Sequence, residues 1–277
     1  MLTRVAVGRA QVVREVRTAA PLMSELAAPV TARGPWLTAV LNEQSAPLLA
    51  SARPRAVVVE QSQQGRPDGA ALLSFRRRGP VTAVTLLGDA VGPLPGGSPW
   101  SRLYARDDDV AGRLADGVVD LLDRIRGPWT LRLAGLPLGD PTVRRLAAVL
   151  TSAEVANHRT RRLVDGLDAV GDVRRSLDPG GLERVLPVLL ARLPARERRF
   201  ARSAARLHAA IGRVELAVVS GRDGPAAALL TLLDGPDATV RLPWWGFTDL
   251  GGLDRALGSP ATTLTASAGL RGLSRRA

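Results

Sequence analysis

The sequence predicts an α/β chain built from two similar halves in tandem, each a mixed, twisted sheet flanked by helices. Three observations predict it. Short apolar runs of period two alternate with amphipathic runs of period 3.6. The order of these runs over the first 165 residues returns after residue 166. Matching segments also recur at a nearly constant offset: AALL at 70 and 227, GP at 79 and 235, and GG at 96 and 251, spaced by 157, 156 and 155 residues. Ordered matches of this kind point to an internal duplication, with a first unit over 1–165 and a second, shortened unit over 166–277.

The elements follow in order. Residues 11–18 (QVVREVRT) read as a strand, and 21–28 and 35–51 as helices, the second opened by Pro35 after Gly34. Three strands follow at 55–61, 69–77 and 81–87, joined by GRPDG and RRGP, which carry the residues tight turns need. After the Gly/Pro loop GDAVGPLPGGSPW comes an amphipathic helix from Asp107 with Val110, Leu114, Val118, Leu121, Leu122 and Ile125 on its apolar face. PWTLRLAGL reads as a strand, DPTVRRLAAVL as a helix capped by Asp140, and EVANHRTRRLVDGL as a further strand. The second half repeats the plan: a strand over 167–177, helices DPGGLERVLPVLLARL and PARERRFARSAARLHAAIG, and strands RVELAVVSG, PAAALLTLL and ATVRLPW. A terminal helix is expected over SPATTLTASAGLRGL.

Bulk properties narrow the function. No apolar run reaches the ~18 residues that cross a bilayer, and the N-terminal stretch has charges every few residues and no apolar signal core, so the reading is cytoplasmic with no membrane partner. Without cysteine there is no disulfide frame, thiolate nucleophile or zinc knuckle, and no metal is expected. The net charge of +12 is carried wholly by arginine, with no lysine in the chain. That bias, beside abundant Ala, Gly, Pro and Val, fits GC-rich coding and discounts the arginine content as a nucleic-acid signal.

GPWLTAVL, RPDGAALLSF…VTLLGD, LADGVVDLL…WTLRLAGLP and GRDGPAAALLTLLDG, taken with the βααβββαβαβ order, resemble the GNAT acyltransferase superfamily, in its tandem FemAB/BioF2-like branch. The resemblance implies N-acyl transfer from acyl-CoA or aminoacyl-tRNA to an amine or other small-molecule acceptor by direct attack, with tRNA as a partner in the second case. It also implies a cofactor cradle after the third strand of each triplet, placing Gly88, Asp89 and Gly92 in the first unit and Trp245, Gly246 and Asp249 in the second. Neither GDAVGPLPGG nor GFTDLGGLDRALGSP has the Arg/Gln-x-x-Gly-x-Gly/Ala spacing of that cradle. A non-catalytic binding or scaffold protein on the same frame is the alternative.

No catalytic residue is assigned. His158 and His208 read as solvated surface histidines. Glu60 and Glu215 fall in matching strands, as a base or as strand-edge charges. Arg192, Arg196, Arg199, Arg202 and Arg206 share one helical face, apart from an apolar face of Leu193, Phe200, Leu207 and Ile211. The stripe serves either as phosphate contacts for a nucleic acid or as a solvated face paired with acids. Trp244 and Trp245 sit at a strand end and point to opposite faces, so they form no single stacking platform unless a bulge intervenes; one is expected to anchor the core and the other to wall a pocket.

Overall fold

A computed structural model of the chain describes residues 1–44, 52–61, 66–89, 91–222, 224–235 and 237–269. The ends of two expected helices, 45–51 and 270–273, lie outside the described residues. In chain order the elements are β1 (Leu2–Val7), α1 (Arg9–Thr18), α2 (Ala20–Glu25), α3 (Gly34–Gln44), β2 (Ala52–Glu60), β3 (Gly69–Arg78), β4 (Val81–Leu86) and β5 (Tyr104–Ala105). Then come α4 (Asp108–Asp123), β6 (Trp129–Leu136), α5 (Pro141–Val149), β7 (Glu154–Asp165), β8 (Val173–Ser176), α6 (Pro179–Ala191) and α7 (Ala195–Ala209). The strands β9 (Val214–Ser220), β10 (Pro225–Asp234), β11 (Val240–Thr248) and β12 (Leu253–Ala268) complete the series.

The result is a mixed α/β architecture with two sheets. The larger runs β1-β2-β3-β4-β6-β12-β7, with the two-residue β5 on β3; the smaller runs β11-β10-β9-β8. Strands β1–β4 and β8–β11 trace the same four-strand antiparallel order, each with helices between its first and second strands. Beyond that point the units diverge. β4 pairs in parallel with β6 over Thr82–Thr85 and Trp129–Arg132, whereas β11 remains an outer strand.

The residues explain the layers. Neighbours on a strand face opposite ways, and β2 is buried on both faces: Ala56 and Val58 face α1–α3, while Val57 and Val59 face α4 and α5. Helices α3, α6 and α7 lie between the two sheets in one apolar core. There Trp36 meets the rings of Phe200 and Trp244 edge-on at 5.1 and 5.4 Å, the tilted geometry that aromatic quadrupoles favour. Asp107 and Asp140 cap α4 and α5 by accepting from Val110 N at 2.8 Å and Val143 N at 3.0 Å.

Three expectations are corrected. Residues 11–18 are helix, and the first strand is Leu2–Val7; Val12, Glu15 and Val16 are buried at helical spacing, and Glu15 holds Arg4 of β1 with bonds of 2.7 and 2.8 Å. Residues 259–268 belong to a sixteen-residue strand rather than a helix. Thr262, Leu264 and Ala266 alternate with less buried neighbours, and the strand pairs with β6 and β7 on either side. The first sheet is therefore assembled from residues on both sides of position 165. Ile211 lies beyond α7 and is exposed, so it takes no part in that helix's apolar face.

Candidate ligand cleft between two strand edges

In the larger sheet the parallel strands β4 and β6 part after Thr85 and Arg132. The gap is filled by the chain itself. Trp100 N and Ser101 N both donate to Gly135 O at 3.0 Å, and the Trp100 indole covers Gly135 so closely that a Cβ there would lie 2.2 Å from the ring. Gly135, at φ 72°, also holds a left-handed backbone that a side chain would strain. The residual cavity beneath, lined in part by Leu86, Leu87, Ser101 and Tyr104, holds only about 10 Å³. No cofactor fits there.

A larger cleft of about 660 Å³ opens elsewhere. One wall is the end of β7 with residues 162–165, the other is residues 240–243 of β11, and Gly96–Ser98 form a third side. Both β7 and β11 are outer strands of their sheets, so each turns an edge of backbone groups toward its surroundings. The loop is locked in place by close backbone contact. A Cβ on Gly96 would lie 1.5 Å from Arg161 O, Gly97 O accepts from Ser259 N at 2.8 Å, and Pro93 O accepts from Trp244 Nε1 at 2.7 Å.

The floor is a guanidinium–carboxylate network. Arg175 of β8 bridges Asp165 and Asp168, at 2.7 Å each, and reaches Glu215 at 3.4 Å. Arg241 grips Glu215 with bonds of 2.6 and 2.8 Å and reaches Asp165 at 3.5 Å. The bonds to Asp165 hold the Arg175 guanidinium in its charged form, above its ordinary pKa, against the opposing pull of burial. Arg162 is exposed at the rim and makes none of the ion pairs found among the described residues. The site therefore presents a free cation, paired cations and carboxylates side by side.

The residues expected from sequence lie elsewhere. Gly88 packs near Val40 and Trp36, Asp89 is paired with Arg132 at 2.6 Å, and Gly92 abuts the Phe200 ring. In the second unit Gly246 presses on Ala228 O, and Asp249 meets Arg192 at 3.4 Å. The bulge between Leu230 and Thr231 places Trp244 opposite the irregularity. Both indoles then join the same core, Trp244 buried within it and Trp245 packed against it, with Trp245 Nε1 directed at Leu189 O at 3.5 Å. Trp244 takes the expected place of core anchor, and Trp245 leans on the same core while staying partly exposed. The bulge that does this has no sequence signal beyond Pro243, whose missing N–H breaks the ladder.

The arginine stripe is mostly committed to acids. Arg199 binds Glu43 through two bonds of 2.7 Å, Arg206 binds Glu183 at 2.6 and 2.7 Å, and Arg196 lies 3.4 Å from Glu197. Arg192 also lies over the Phe247 ring, 4.9 Å from its centre. Arg202 is exposed. His158 is half-buried, its ring tilted against Trp100 at 5.9 Å.

His208 is 1% exposed, which corrects the expected surface position. Its Nδ1 sits 2.8 Å from Ala204 O, its ring faces Trp36, and Nε2 has no partner. Burial pushes its pKa below the usual histidine value. Glu60 is buried and bound by Arg4 at 2.6 Å, while Glu215 belongs to the cleft network.

No protein-family model matches the sequence, and no curated protein matches it. Among solved structures the chain is similar to FemX, with 12% identity and a TM-score of 0.45 over 84% of this chain and 58% of that one. It is also similar to a tandem GNAT protein from the clavulanic acid biosynthesis pathway, with 15% identity and a TM-score of 0.38 over 97% and 99% of the two chains. The chain thus spans little more than half the length of FemX. At these values the likeness is one of overall shape, and activity does not follow from it. No described helix is long and apolar enough to cross a membrane, and no described cluster of His, Asp and Glu has the make-up of a metal site.

Proposed function

We propose that the chain is an N-acyltransferase that takes an acyl-CoA donor in the cleft between β7 and β11, and not in the filled gap between β4 and β6. The observation that carries this reading is the cleft itself, a ligand-sized space with cations and carboxylates between two open strand edges. Arg162 and Arg241 supply positive charge for the phosphates of the donor, as guanidinium groups do well. Asp165 and Asp168 supply negative charge for an acceptor amine. When bound, the donor contributes its thioester: the amine nitrogen attacks the carbonyl carbon, the carbon–sulfur bond breaks, and the amine proton leaves with the thiol. The protein's part is to hold the two reactants together, the contribution that proximity makes to such transfers.

Thermal unfolding with a series of acyl-CoA esters tests the reading. A ligand at 100 times its dissociation constant stabilises the folded state by about 2.7 kcal/mol, and replacement of Arg162 and Arg241 by Ala should abolish that gain. No rise in Tm with any acyl-CoA, and none with aminoacyl-tRNA, overturns it. The Trp100 plug favours a second reading, a binding protein without turnover on the same frame. It predicts acyl-CoA stabilisation with no acylated product from a panel of primary amines.

A further inference from the structure

The arginines of α7 are largely paired, but another set is not. At one end of the larger sheet, β2 begins, β3 ends and β4 begins, and the loop from α4 returns to the start of β6. The register puts Ala52 opposite Arg76, Arg53 opposite Phe75, and Arg78 opposite Val81, so at this end Arg53 and Arg77 leave the sheet on the Phe75 face and Arg76 and Arg78 on the other. Thr82 N donates to Pro128 O, which fixes the loop carrying Arg124 and Arg126 beside them. Arg53, Arg76, Arg77, Arg78, Arg124 and Arg126 are all exposed. None of them makes an ion pair found among the described residues, as is also true of exposed arginines elsewhere such as Arg14, Arg17, Arg159 and Arg161, whereas Arg4, Arg106, Arg132, Arg175 and Arg199 are held by carboxylates within 2.8 Å; what marks the six is that they gather at one end of the sheet. Arg55, two residues along β2, lies over the Phe75 ring at 4.4 Å with its Nε unpartnered. Asp123 precedes Arg124 at the end of α4, and Glu43, beside the Gln44 that bonds Ser74 of β3 at 3.2 Å, is already held by Arg199.

We infer that this strand-end cluster is an interaction surface for double-stranded nucleic acid, gripped through its backbone phosphates without regard to sequence. Exposed cations left without carboxylate partners gain most from a phosphate row, because each phosphate they neutralise releases condensed counterions. The surroundings select among polyanions. Single strands are held by stacking bases on aromatic rings, and among the described residues no aromatic side chain is one of the exposed large apolar ones. Membrane surfaces take up apolar side chains, and the exposed Val149 and Val155 of this end belong to the β7 side, three strands from β4. A duplex needs neither. The inference is independent of the acyl-transfer reading, since the cluster and the cleft share no residue.

Fluorescence anisotropy of the full chain with 20-base-pair DNA and RNA duplexes of arbitrary sequence tests it, beside the matching single strands and anionic vesicles. Either duplex should bind with an affinity that falls steeply with salt and ignores sequence. Replacing Arg53, Arg76, Arg77 and Arg78 by Ala should weaken binding at least tenfold. The same change should flatten the log–log salt slope by about 3–4, near 0.9 for each phosphate no longer neutralised. The loop variant Arg124→Glu/Arg126→Glu, which touches no strand, should weaken binding as well, and the α7 variant Arg196→Ala/Arg202→Ala should bind as the parent does. The inference fails if neither duplex binds. It also fails if single strands or vesicles bind more tightly, if both cluster variants bind unchanged while melting normally, or if the α7 variant is the one that loses binding.

Discussion

The strands β4 and β11 hold the same place in two repeats of one four-strand plan, yet they meet opposite fates. β4 gains a parallel neighbour, β6, and the space where the two diverge is closed by Trp100. β11 gains no neighbour, and the space along its edge stays open as the cleft. The difference shows that two stretches with the same backbone order can leave open space in different places. The material beyond the repeat differs: β5, α4, β6, α5 and β7 follow the first copy, and among the described residues β12 follows the second.

The sharpest way to break the comparison is to ask whether the copies are separate bodies at all. Trp36 of the first copy is 1% exposed and packs against Phe200 and Trp244 of the second. Trp36→Ala should cost about 3–5 kcal/mol and lower a single unfolding transition, seen by both calorimetry and circular dichroism. Two transitions, only one of them shifted, would show independent copies. Next in size is Gly96→Val, since even a Cβ collides with Arg161 O. The loop must back away from β7, at about 1–3 kcal/mol, and any ligand stabilisation through the cleft should vanish with it.

Arg175→Ala removes the centre of the cleft network and leaves Asp165 and Glu215, both little exposed, short of a partner. A loss of about 1–3 kcal/mol is expected, read as a fall in the urea midpoint and larger than that of Arg241→Ala, whose side chain is more exposed.

A smaller effect tests the layer between the sheets through pH. His208 is held neutral by burial, so its folded pKa lies below the unfolded value of about 6.5. The unfolded chain then takes up a proton that the folded chain refuses as pH falls through that value. Stability should decline on acidification by at most about 1.4 kcal/mol per pH unit, and His208→Gln should flatten that part of the profile in urea titrations at pH 5–7. Least of all, Arg202→Ala on the exposed face of α7 should leave Tm unchanged.

Much of the fold is legible in the sequence because it depends on local rules. Asp107 and Asp140 announce their helices, and the strands around 55–61, 69–77 and 81–87 lie within a few residues of their expected bounds. The failures share a cause. Val12, Val13 and Val16 favour a strand by propensity, but burial of Val12 and Val16 one turn apart beside the Glu15–Arg4 pair makes the segment helical. His208 is hidden from a reading of its own segment because Ala204, Ala205 and Ala209 let Trp36 approach, a fact of packing between elements about 170 residues apart. The cleft is unreadable for the same reason, being built from a glycine loop, β7 and β11, which no local period connects.

The insertion of β12 between β6 and β7 has a consequence for birth as well as for shape. A ribosome that has released β7 must still make about a hundred residues before β12 emerges. At ~5–20 residues per second this is roughly 5–20 s during which two facing strands wait for their central neighbour. Through that interval the nascent first sheet stands open between them, and guarding it falls to whatever meets the chain at the exit tunnel.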